Sequence, residues 1–115
     1  MIELPARVGV LGGGRMGAGI AHAFLVAGST VAVVERDRDQ AETARDRVSA
    51  AARVSVDRGS TSESIDALAE RLEVGTDDAL FDECGLVIEA VPEEFALKAA
   101  SLRRIEDRVG AETPI

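Results

Sequence analysis

The chain has 115 residues, 46% hydrophobic and 30% charged, which fits one soluble globular domain with a modest core. Its net charge of −8 disfavours nucleic acid and anionic membrane surfaces as partners, and no apolar run reaches the ~18 residues of a membrane span. A single cysteine, Cys84, excludes an internal disulfide, and no Cys/His cluster offers a metal site.

The start, Met1-Ile2-Glu3-Leu4-Pro5, does not read as a signal peptide, so the expected compartment is the cytoplasm. From Val8 to Leu11 the chain is almost wholly apolar, as in a parallel strand buried on both faces. Gly12-Gly13-Gly14-Arg15-Met16-Gly17 follows, then a helical segment with Met16, Ile20, Ala23, Phe24 and Ala27 on one stripe. Gly28 suits the stop of that helix. Thr30 to Val34 is β-branched and apolar, a second parallel strand, and Glu35 ends it.

Asp37 fits an N-cap, with Gln40 three residues on in capping-box position. The helix it opens should run to about Arg58, with Ala41, Ala44, Val48, Ala51 and Ala52 inward and Gly59 as its stop. After the polar turn from Ser60 to Ser64 comes a short helix with Ile65, Leu68, Ala69 and Leu72 inward. Val74 is placed to begin a short strand, and Thr76 or Asp77 to cap one more helical turn ending near Cys84-Gly85. Leu86 to Val91 reads as the third main strand. Pro92, Glu93 and Glu94 suit the first turn of a final helix, which buries Leu97, Leu102, Ile105 and Val109 and ends at Gly110. Thr113-Pro114-Ile115 reads as the opening of another strand, so a domain truncated at its C-terminal end is expected. The fold class expected is α/β, a Rossmann-type doubly wound parallel sheet with helices on both faces.

The glycine run stands in its full strand–turn–helix–strand–acid context, which is the dinucleotide fingerprint. Each residue has a mechanical role. Gly12 permits the tight turn out of the strand. Gly14, lacking a Cβ, lets backbone approach a pyrophosphate. Gly17 lets the helix pack closely on the sheet. The helix N-terminus then presents free N–H groups and a positive dipole end to phosphate. Glu35 can accept from an adenosine ribose and would repel a 2′-phosphate, so the expected cofactor is NAD rather than NADP.

Two segments narrow the family. The first runs Val8-Gly9-Val10-Leu11-Gly12-Gly13-Gly14-Arg15-Met16-Gly17-Ala18-Gly19-Ile20-Ala21. The second runs Leu86-Val87-Ile88-Glu89-Ala90-Val91-Pro92-Glu93-Glu94-Phe95-Ala96-Leu97-Lys98. Together with the long helix and helical insert between them, they resemble the NAD-binding domain of 3-hydroxyacyl-CoA dehydrogenases over nearly the whole chain. The resemblance implies that Gly12, Gly13, Gly14, Arg15, Met16 and Gly17 hold the pyrophosphate and Glu35 the ribose. It implies that Glu93 and Lys98 lie near the nicotinamide half, and that Arg58 matches a basic position contacting coenzyme A. Each has a plainer reading: Glu93 as an acid complementing a helix dipole, Lys98 as a solvated helix residue, Arg58 as a partner of a helix C-terminus. Glu89 would lie near the ligand crevice or pair with a nearby donor. Arg36 lies along an adenine face or is solvated. His22 reads as packed rather than catalytic, and Cys84 as a small buried filler.

The resemblance also implies an acyl-CoA substrate, oxidised at its 3-hydroxyl with hydride passed to NAD, as in fatty-acid metabolism. The His–Glu general base of the family falls beyond Ile115, as does a helical C-terminal domain that supplies catalytic and homodimer contacts. Residues 1–115 are therefore expected to bind NAD without turning over. Two alternatives stay open: an NAD-sensing regulatory domain of the potassium-transport type, which also carries Gly-x-Gly-Arg-x-Gly, and a dehydrogenase acting on a carrier-protein thioester.

Overall fold

The computed structural model describes residues 4–90 and, beyond them, Leu102, Arg103, Ile105, Arg108 and Val109. Strand β1 (Arg7–Leu11) leads through the glycine turn into helix α1 (Arg15–Ala27), and β2 (Thr30–Val34) follows. Then come α2 (Arg38–Asp57), α3 (Ile65–Glu70), β3 (Leu72–Gly75), a 3-10 turn (Asp78–Phe81) and β4 (Leu86–Glu89). All pairings are parallel, in the order β3-β2-β1-β4. The chain thus builds outward from β1 to β3 and then returns to the other side of β1. That reversal is the topological switch point, where the carboxyl ends of β1 and β4 open a crevice.

The register explains the near-continuous apolar strands. Val8 and Val10 stand beside Val31 and Val33, and all four are fully buried. This face is covered by α1, α2 and α3 through Ala18, Ala21, Leu25, Ala44, Val48, Ala52 and Leu68. The opposite face carries Leu11, Val34 and Val87 against Phe81, Cys84 and Ile105. Helical cover therefore lies on both faces, as a buried parallel sheet requires. Gly9 makes room for this second layer, because a Cβ there would stand 2.5 Å from the Phe81 ring.

Three expectations are corrected by the packing. In α1 the inward residues are Gly17, Ala18, Ala21 and Leu25, whereas Met16 is 73% exposed and Ala23 and Ala27 face outward. The small residues win that face because the helix lies close against the sheet. Leu72 opens β3 instead of closing α3, since its backbone pairs with Val31; Ala69 is exposed. The short strand expected from Val74 begins two residues earlier, at Leu72 on the sheet edge, and Leu86–Glu89 follows it as the next strand.

The helix ends follow from local chemistry. The Asp37 side chain accepts from the Gln40 N–H at 2.8 Å, and Ser64 accepts from Ala67 at 3.1 Å. Helix α2 stops at Gly59, which is left-handed at φ 72°. At the end of α1, the Arg71 guanidinium donates to the carbonyls of Leu25 and Ser29 and pairs with Glu63. The guanidinium thereby supplies donors to carbonyls at and just beyond the helix end.

Arg7 crosses the second face from β1 to β3. It donates to both Glu73 oxygens at 3.1 and 3.3 Å and to the Leu80 carbonyl at 2.8 Å. This bond raises the Arg7 pKa and lowers that of Glu73. Because the folded Glu73 carboxyl lies below its unfolded value, its contribution to stability is present above the unfolded value. It is lost as pH falls through the lowered folded one. Glu73 is half-exposed, so the contribution is no more than about 1 kcal/mol. Melting curves of the wild type and Glu73→Gln should differ by a few degrees at most at pH 7, and the gap should close on acidification.

Cys84 is buried, and burial pushes its thiol pKa up against the smaller opposing effect of Arg7. The native thiol should therefore react with an aromatic disulfide reagent only through opening, at least about a hundredfold more slowly than in denaturant. Equal rates in both states would show that the Phe81 layer does not cover it.

Candidate dinucleotide site

The glycine turn sits at the carboxyl end of β1, at the switch point. Gly12 adopts φ 100°, a conformation that an L side chain rarely tolerates, and its N–H donates to the Val34 carbonyl at 2.9 Å. Gly14 is the N-cap of α1, and its carbonyl accepts the first helical bond from Ala18 at 2.8 Å. A Cβ on Gly14 would meet nothing within 4 Å, so open space lies before the helix end. Gly17 is the reverse case: a Cβ would fall on the Gly12 carbonyl oxygen, with Ala90 at the end of β4 just beyond. The spacing of the glycines thus produces one open position and one of closest contact.

The acid at the end of β2 comes back to this turn. One Glu35 oxygen accepts from the Gly13 N–H, and the other accepts from the Arg36 N–H at 3.1 Å. Glu35 is half-buried, its own N–H bonded to the Gly75 carbonyl at 2.8 Å. An open cleft of about 480 Å³ lies between α2 and the end of β3, with Arg38, Glu42, Arg45, Val74 and Gly75 on its walls, and it reaches Glu35 only through Gly75. Arg36 is exposed and pairs with Asp37 at 3.6 Å.

Helix α2 supplies two contacts that sequence reading did not assign to the site. Ala44 packs so closely on Gly13 that a Cβ added to Gly13 would clash with that of Ala44. Arg47 donates to the Gly13 carbonyl at 3.1 Å. Ala44 belongs to the recognised inner stripe, so its small size was a readable signal. Arg47 lies on the exposed side of α2, where an arginine has no distinguishing pattern.

Gly12, Gly13, Gly14, Gly17 and Glu35 are brought together, with Arg15 and Met16 exposed on the first turn of α1. Arg58 is not brought to the turn. It is the C-cap of α2, whose 20 residues separate it from the Glu35 end by about 30 Å. His22 shares a hydrogen bond of 2.7 Å with Ser55, joining α1 to α2. Glu89 ends β4 opposite Leu11, beside the crevice. Glu93, Lys98, Pro92, Glu94, Leu97 and the strand opening at Thr113 lie outside the described residues. Among the described residues no group of three His, Cys, Asp or Glu could hold a metal, and no helix is long and apolar enough to cross a membrane.

A parallel sheet with a glycine turn, a helix N-terminus and an acid converging at its switch point is a dinucleotide-binding domain of Rossmann type. The open space at Gly14 and the Glu35 carboxylate beside the turn fit NAD. The sequence model of the 3-hydroxyacyl-CoA dehydrogenase NAD binding domain matches residues 7–115, and the chain belongs to that family. Comparison with curated proteins gives no significant match.

Solved structures with similar folds include M. tuberculosis FadB2, at 31% identity and a TM-score of 0.86 over 96% of this chain and 40% of that one. (S)-3-hydroxybutyryl-CoA dehydrogenase PaaH1 from Ralstonia eutropha is 27% identical with a TM-score of 0.84, over 96% of this chain and 39% of that one. 3-Hydroxybutyryl-CoA dehydrogenase from Escherichia coli K12 is 29% identical with a TM-score of 0.83, over 96% of this chain and 24% of that one. The chain therefore spans about two fifths or less of these three structures.

Proposed function

We propose that residues 1–115 form the cofactor half of an NAD-dependent dehydrogenase that oxidises the 3-hydroxyl of an acyl-CoA. The observation that carries this reading is the Glu35 carboxylate standing beside the glycine turn at the switch point. Gly12 to Gly17, with Arg15 and Met16 on the first turn of α1, hold the pyrophosphate; Gly12 and Gly13 shape the turn, and the N–H groups from Gly14 onward at the head of α1 face the phosphate. Glu35 accepts from the adenosine ribose, and the cleft between α2 and the end of β3 receives the adenine. Glu93 and Lys98 serve the nicotinamide half. Bound NAD supplies the hydride acceptor, and this chain's residues bind and orient it.

The acyl-CoA class rests on family membership and on the dehydrogenases it resembles. Family membership also favours this reading over the regulatory-domain alternative, while a carrier-protein thioester remains a second substrate of the same chemistry. Arg58 stands at the far end of α2 and is assigned to neither reading. The reaction needs a base for the hydroxyl proton, and His22 is committed to Ser55 between two helices. The 115 residues alone therefore bind cofactor without turnover, the parent protein supplying the base and a homodimer contact from a helical C-terminal domain. Cytoplasmic location and a role in fatty-acid metabolism belong to the same proposal, and the net charge of −8 argues against nucleic acid.

Calorimetric titration of the folded chain with NADH and NADPH tests the cofactor half, and acetoacetyl-CoA reduction tests turnover. NADH should bind in preference to NADPH, with no reduction above a blank. Tighter NADPH binding would overturn the Glu35 assignment, and turnover would overturn the claim of a missing base.

A further inference from the structure

Gly13 is held from two sides by elements that the fingerprint does not include. Its N–H donates to Glu35 from the end of β2, and its carbonyl accepts from Arg47 on the third turn of α2. In a trans peptide the C=O and the next N–H point in opposite directions. The described chain contains no cis peptide bond. With the Gly13 N–H turned to Glu35, the Gly12 carbonyl is directed to the other side, where it lies against Gly17. With the Gly13 carbonyl turned to Arg47, the Gly14 N–H is directed away from that guanidinium, and Gly14 itself, at the head of α1, has open space where a Cβ would stand. Two side chains thus set two successive peptide planes.

We propose that Arg47 is a positioning residue for the dinucleotide: by holding the Gly13 carbonyl it aims the Gly14 N–H at the phosphate position. Glycine is the reason such a holder is needed. Gly12, Gly13 and Gly14 have no side chains to restrict their dihedrals, so an untethered turn samples many peptide orientations. Ligand binding would then have to order the turn. Arg47 and Glu35 order it in advance, so less affinity is lost on binding. Arg47 does this without touching the cofactor. The ligand named here rests on the NAD reading above; the hold on the turn does not.

The test compares wild type, Arg47→Met and Arg47→Lys by nitrogen relaxation and amide exchange at Gly13 and Gly14, and by NADH titration. Arg47→Met should melt close to wild type because the side chain is on the exposed side of α2. Its Gly13 amide should exchange at least about tenfold faster, with loosened Gly13 and Gly14 signals and NADH affinity down about tenfold. Arg47→Lys, which keeps one donor, should restore part of both together. Unchanged Gly13 and Gly14 signals in Arg47→Met would overturn the proposal whatever happens to affinity. So would full recovery of affinity in Arg47→Lys with the turn still loose, since charge alone would then account for the effect. If wild type binds no NADH, the cofactor reading falls and takes the ligand role with it, while the exchange comparison still decides whether Arg47 holds the turn. Should Arg47→Met not fold, Arg47→Lys against wild type carries the same comparison.

Discussion

Gly17→Ala is expected to lower both the stability of the chain and its affinity for NADH. Two effects oppose each other. In a helix, alanine is favoured over glycine by about 1 kcal/mol. Here the new Cβ would fall on the Gly12 carbonyl oxygen, part of a backbone held on both sides, and overpacking of that kind costs about 1–3 kcal/mol. The atom in the way is backbone and cannot rotate aside, so the upper end applies. The net loss should be about 2 kcal/mol, a fall of roughly 10 °C in Tm. Because the shift must move α1 against the turn, NADH affinity should fall at least about tenfold.

Two further glycines of the same segment act as controls. Gly19 is exposed and a Cβ there meets nothing, so Gly19→Ala should raise stability by up to about 1 kcal/mol. Gly14 is equally open in the protein, but the open space is where a pyrophosphate would lie. Gly14→Ala should therefore change stability by less than about 1 kcal/mol while weakening NADH at least about tenfold. Equal stabilities for Gly17→Ala and Gly19→Ala would show that α1 does not pack against the turn as described.

Glu35→Ala is expected to have the largest effect on cofactor choice. In the proposed function the carboxylate accepts two charge-assisted bonds from a ribose, each contributing about 1.5 kcal/mol or more. It also holds the Gly13 N–H, so its removal frees the turn. NADH affinity should fall about a hundredfold. NADPH should lose far less, because the same change removes repulsion of the 2′-phosphate and leaves Arg36 and Arg38 nearby. Parallel titrations of both cofactors read the ratio directly. A preference for NADH that survives the substitution would place discrimination outside Glu35.

The parts of the fold that are legible in the sequence are those with a local cause. The apolar runs at Val8 and Thr30 are too short and too β-branched for helices. Gly12, Gly14 and Gly17 stand at offsets that only a turn into a helix explains, and Asp37 with Gly59 brackets α2. From these, β1–α1–β2 and the position of Glu35 follow without any knowledge of the rest of the chain. The family followed from two such segments in register.

Where several elements compete, local pattern was insufficient. Leu72 suits the inner side of α3 as well as it suits a strand; the free edge of β2, pairing it with Val31, decides for the strand. Met16 falls on a reasonable apolar stripe, yet it faces outward because Gly17, Ala18 and Ala21 let the helix approach the sheet more closely. The order β3-β2-β1-β4, which creates the crevice, is a choice among sheet edges that no single strand records. Arg47 shows the same limit at the site itself. It lies 34 residues from Gly13 on an exposed helix face, and only the packing of Ala44 against that glycine carries its guanidinium to the Gly13 carbonyl. The sequence by itself determined which residues make a dinucleotide turn and which acid answers it. The tertiary structure decided which way the peptides of that turn point, because hydrogen bonds from distant elements, rather than side chains of their own, orient three successive glycines.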